Sequence, residues 1–123
     1  MLKLILLAGA GGFLGTACRF LLNKLFVLFW KNPFPMATFI INILGCLCFG
    51  LIIGFLEKAG YNSTKINAFL LVGFCGGFTT FSTFSSETFN LVSSGEVLTS
   101  LIYIFGSIVA GFLAIWGGLL ISR

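Results

Sequence analysis

The chain has 123 residues, 59% of them hydrophobic and only 8% charged, with a mean hydropathy of +1.15. So few polar groups cannot cover a water-soluble surface, so lipid is its solvent. The net charge of +4 arises from seven basic and three acidic residues scattered along the chain with no basic tract, which excludes a nucleic-acid surface.

The charges at Lys3, Arg19, Lys24, Lys31, Glu57, Lys58, Lys65, Glu87, Glu96 and Arg123 leave charge-free runs at 4–18, 32–56, 66–86 and 97–122. A bilayer core about 30 Å thick takes about 20 helical residues, so the expectation is four spans in one all-α domain, 1–123. The first helix covers 2–29 and contains Arg19, because the apolar sequence resumes at Phe20 and continues to Trp30. This Gly- and Phe-rich continuation does not read as a cleaved signal peptide. Asn32, Pro33 and Pro35 end that helix and open the second, 36–56. A polar loop over 57–65 leads to the third, 66–94, and a short turn at 94–96 to the fourth, 98–122.

Gly11 with Gly15, Gly50 with Gly54, Gly73 with Gly77, and Gly106 with Ala110 are small residues four apart, the spacing that lets helix backbones approach closely in lipid. Cys18, Cys46, Cys48 and Cys75 all fall in apolar spans and read as small buried hydrophobes, and the absence of histidine rules out a mixed zinc site. With the N-terminus in the cytoplasm, that side carries Lys3, Lys58, Lys65 and Arg123 against Lys24 and Lys31 on the other. The bias is weak, which permits insertion in both orientations and hence an antiparallel dimer.

The third span carries the least ordinary stretch, Gly73-Phe-Cys-Gly-Gly-Phe-Thr-Thr-Phe-Ser-Thr-Phe-Ser-Ser86. Paired glycines followed by threonines predict a helix break near 76–80. Carbonyls freed there cannot face lipid and need water, a protein donor or a cation. Phe78, Phe81 and Phe84 recur every three residues, and a row of positive ring edges suits a small anion, although aromatic packing explains the same spacing. The interleaved hydroxyls, Ser82 and Thr83 among them, either line a polar path or bond back to their own helix. Asn42, four residues after Thr38, is either interhelical glue or a ligand contact. Arg19 must face a protein interior, reach a wet vestibule or snorkel. Glu87 stands at a pathway mouth or in interfacial water, and Tyr103 with Ser107 forms one more face of donors.

These residues bring a family into view. The segments Gly11-Gly-Phe-Leu-Gly-Thr-Ala-Cys-Arg-Phe20, Ala37-Thr-Phe-Ile-Ile-Asn-Ile-Leu-Gly45 and Gly73-Phe-Cys-Gly-Gly-Phe-Thr-Thr-Phe-Ser-Thr-Phe84 make the chain resemble the Fluc (CrcB) fluoride channels over its whole length. The resemblance implies a dual-topology antiparallel homodimer in a bacterial inner membrane, with two fluoride pathways that passively export the ion and confer fluoride resistance. It implies a pair of pathway rings at Phe81 and Phe84, with Phe78 left to packing. Asn42 and Arg19 match the family's asparagine and arginine, and the polar track carries over to Ser82, Thr83, Glu87, Tyr103 and Ser107. A structural sodium ion would lie at the dimer centre on the main-chain carbonyls of Gly76 and Thr79. Gly111 departs from relatives that place a second hydroxyl one turn after Ser107.

Two rival readings, a second kind of transporter and a non-transporting subunit, make different demands on the residues. Small four-helix multidrug exporters need a membrane-embedded acid in the first helix, where this chain has Arg19 and no acid. A non-transporting assembly subunit would have no use for so many donors beside a helix break. An enzyme is not expected, because no nucleophile, base and orienting group can be assembled.

Overall fold

The computed structural model describes residues 1–123, all helices and short connections. Helix α1 spans Leu2–Phe29. Its exit is fixed by local bonds: the Asn32 Oδ1 accepts from the Phe34 amide at 3.0 Å, and the Trp30 indole donates to the Phe34 carbonyl at 2.6 Å. Pro35 then precedes α2, Met36–Lys58, which runs a little past the expected end at 56. Gly60 takes φ +70°, Tyr61 N–H bonds the Leu56 carbonyl and Gly60 N–H that of Glu57. That is a Schellman stop, and only a residue free to adopt left-handed φ makes it without strain.

The third span is one helix in two arms. Arm α3, residues 64–78, opens with an α-turn Thr64–Asn67 under the Ser63 hydroxyl, widens to a π-helical stretch over Ala68–Cys75, and closes with one turn, Gly76–Phe78. Thr79 and Thr80 are extended, and arm α4 resumes at Phe81–Ser93. A second glycine stop at Gly95, φ +85°, leads into α5, Val97–Ser122. The four spans and the interrupted third helix thus follow the sequence reading.

Helix α1 packs along α3, and α2 packs along α5. Glycines set both contacts. A methyl group on Gly77 would lie 2.6 Å from the Gly12 carbonyl oxygen, one on Gly73 2.6 Å from that of Ala8, and one on Gly118 2.7 Å from that of Leu47. Gly106 differs: the nearest atom to such a methyl is a Phe39 ring carbon at 3.7 Å, so the Gly106–Ala110 spacing makes no close backbone approach. The chain buries only 14 of its 123 residues, so most of its apolar surface must meet lipid or another protein.

Candidate functional site

The site grows from the break in the third span. At Thr79 and Thr80 the chain leaves the helical ladder, and its polar groups need substitutes. Asn42 supplies two of them: its Oδ1 accepts from the Thr80 N–H at 2.8 Å, and its Nδ2 donates to the Thr80 carbonyl at 3.2 Å. A side-chain amide is therefore pairing with a peptide unit as a neighbouring strand would. Since Nδ2 carries two protons, one donor remains free. The Thr80 hydroxyl accepts from the Thr83 N–H at 3.3 Å and so starts α4. Arg19 Nε donates to the Gly77 carbonyl at 3.0 Å, beside the Thr16 hydroxyl at 3.4 Å. The intramembrane arginine of α1 thus caps the end of α3.

Asn42, Phe81, Phe84 and Ser107 meet around one cavity of about 300 Å³, completed by Cys46, Thr79, Thr80 and Ile108. The rings of Phe81 and Phe84 are 6.0 Å apart and tilted by 41°. Phe81 is 80% exposed, so its ring stands at the surface of the single chain. Phe78, by contrast, is buried and stacks on Phe74 at 5.9 Å. The Ser107 hydroxyl is buried without a hydrogen-bond partner, an unspent donor in the cavity wall.

One helical turn further along the same three helices lies a second polar group. Thr38 and Tyr103 both donate to the Glu87 carboxylate, at 2.5 Å and 3.1 Å. Tyr103 is fully buried, and its ring packs at 4.9 Å from that of Phe84, the ring that also borders the cavity. Thr38 and Glu87 in turn open on a cavity of about 210 Å³ with Asn23 and Phe34 at the end where α1 and α2 connect. Helices α2, α4 and α5 therefore contribute side chains at two successive levels: Asn42, the Phe81 ring and Ser107, then Thr38, Glu87 and Tyr103.

Ser82 is exposed and only 3.5 Å from the Thr80 hydroxyl, while Thr83 accepts from that hydroxyl at 3.1 Å. Neither borders the 300 Å³ cavity, and Arg19 does not either. Gly76 lines a neighbouring cleft of about 180 Å³, between α2, the break and α5, which shares Cys46 and Thr79 with that cavity. The Thr79 carbonyl accepts no hydrogen bond within the chain, although the Thr79 side chain bonds back to the Cys75 carbonyl at 2.9 Å. The bond of Thr38 to Glu87 and the place of Cys46 in the cavity wall became visible only in three dimensions. The available signal was their spacing four residues either side of Asn42, which puts all three on one stripe of α2.

Comparison with known proteins places the chain in a family. The family described as "CrcB-like protein, Camphor Resistance (CrcB)" matches residues 6–119. A protein of Flavobacterium psychrophilum named "Fluoride-specific ion channel FluC" is 41% identical over 122 residues, covering 99% of this chain and 98% of its own. The protein of the same name in Azobacteroides pseudotrichonymphae is 40% identical, covering 100% and 98%, and that of Chlorobium chlorochromatii 41%, covering 97% and 92%. With four membrane-spanning helices and an interrupted third, the chain belongs to the CrcB family.

Proposed function

We propose that the chain is one subunit of an antiparallel homodimer that conducts fluoride selectively and passively out of the cytoplasm, lowering fluoride toxicity. The observation that carries this reading is the cavity lined together by Asn42, with a spare amide proton, Ser107, with an unpartnered hydroxyl, and the rings of Phe81 and Phe84. Fluoride is small and tightly hydrated, so passage requires close donors to replace its water, and a narrow bore then disfavours larger anions. Amide, hydroxyl and ring-edge donors provide this without a fixed cation to trap the ion. The relatives named as fluoride-specific channels align with essentially the whole chain.

The dimer in this reading rests on what the single chain leaves open. Phe81 stands exposed on a single chain, and the Thr79 carbonyl lacks a donor, and a neighbouring copy would cover the one and meet the other. Neutral main-chain oxygens are the donor set an alkali cation takes at an unwound helix. Gly76 and Thr79 would hold a sodium ion there, with two antiparallel copies giving four oxygens. The ion's part is structural, fixing the break against its symmetry mate.

Fluoride efflux from liposomes containing the purified protein, read with a fluoride electrode in the presence of a potassium ionophore, tests the function, with chloride measured in parallel. Fast fluoride release with little chloride release is expected. Absence of fluoride release from a folded dimer overturns the reading.

A further inference from the structure

We propose that the groove between α1, α2 and the start of α3 is a binding site for an anionic diacyl phospholipid, with an acyl chain in the groove and the phosphate at Lys65. The groove has a volume of about 710 Å³. Its walls are Leu7 of α1, Leu51, Ile52 and Phe55 of α2, and Phe69 and Leu70 of α3; Lys65 is the one charged group lining it. An apolar channel of this size in a membrane-spanning chain is filled by hydrocarbon.

Charge and position select the lipid class. The start of α1, the end of α2 and the start of α3 share one side of the membrane, because α1 and α2 are joined by the short connection at the opposite side. That end carries Lys3, Lys58, Lys65 and Arg123. Arg123 is engaged by Glu57 at 3.2 Å, which leaves three lysines without an acidic partner. Tyr61, exposed and lining the groove, marks the headgroup level. Beyond Tyr61 and Leu56 lies a more polar recess with Asn62, Asn67 and Glu57, so the surface passes from hydrocarbon to headgroup chemistry within a few residues. Unpaired lysines at that boundary attract anionic headgroups. The groove shares no lining residue with the Gly76–Thr79 cleft.

Native mass spectrometry of the dimer, titrated with dioleoyl phosphatidylglycerol or dioleoyl phosphatidylcholine at equal concentration, tests this independently of ion flux. Phosphatidylglycerol should bind preferentially. Lys65→Gln should reduce that preference about fivefold, the effect of one cation near the membrane surface. Lys31→Gln, on the opposite side, should leave it unchanged, and Ile52→Trp, which fills the groove, should weaken binding of both lipids. Equal binding of the two lipids, or equal loss in the Lys65 and Lys31 variants, overturns the assignment. Crosslinking of Phe55→Cys to its counterpart in the dimer would put a second copy in the groove and overturn it too.

Discussion

Asn42 resolves a choice that its sequence context leaves open. Its amide both fastens the helix break through the Thr80 peptide and keeps one donor for the cavity, so glue and ligand contact are two uses of one side chain. Asn42→Asp keeps an acceptor for the Thr80 N–H but sets a carboxylate oxygen against the Thr80 carbonyl and adds a charge that repels an anion. The expected outcome is loss of fluoride flux together with about 1–3 kcal/mol of stability, the cost of an unsatisfied buried polar group. Efflux and denaturation of the same sample check it, and retained flux would leave the residue a purely structural role. The two rings behave differently. Phe81→Ile or Phe84→Ile removes ring edges while keeping apolar bulk, so flux should fall about tenfold or more, the change that about 1.4 kcal/mol produces. Phe81 is exposed and should cost the fold nothing, whereas Phe84 also loses its contact with Tyr103. Size-exclusion chromatography alongside efflux separates the two effects, and normal flux in either variant removes that ring from the pathway.

Among the elements, punctuation was legible and helix type was not. The proline connection, the stop of α2 at Gly60 in the polar loop and the break at Thr79–Thr80 each rest on a local property of the residues concerned, namely a missing N–H, a left-handed φ or a low helix propensity. The π-helical stretch Ala68–Cys75 has no such signature, since its sequence is an ordinary apolar run. Its wider turns set the carbonyls of Phe69 and Phe74 against Gly11 and Gly15 of α1, a fit that needs both helices at once. Glycine spacing has the same limit, for Gly118 is wedged against the Leu47 carbonyl while its neighbour Gly117 has open space around it. Gly118→Ala should therefore cost about 1–3 kcal/mol by forcing α2 and α5 apart. Gly117→Ala should be neutral or slightly stabilising through better helix propensity. Thermal unfolding in detergent measures both, and equal effects would refute the backbone-contact account.

At the level of the whole molecule, membrane residence was legible in composition, while the polar path was legible only in part. Hydroxyls and rings announce themselves by density, but sequence spacing does not tell that Arg19 caps α3 at Gly77 rather than facing the cavity, since that depends on how α1 crosses α3. What the single chain leaves unsatisfied points to its assembly. The Thr79 carbonyl accepts no hydrogen bond within the chain, and an acceptor left unpaired away from water costs about 1–3 kcal/mol. A sodium ion shared by two symmetry-related breaks would offset that cost in both at once, and so would couple cation binding to dimerisation. Exhaustive replacement of sodium by N-methylglucamine should then abolish fluoride flux and increase the monomer fraction seen by crosslinking, with recovery of both on sodium return. Flux and crosslinking that are indifferent to the cation would mean that the two breaks satisfy each other through protein groups or water, and that the cleft holds no ion.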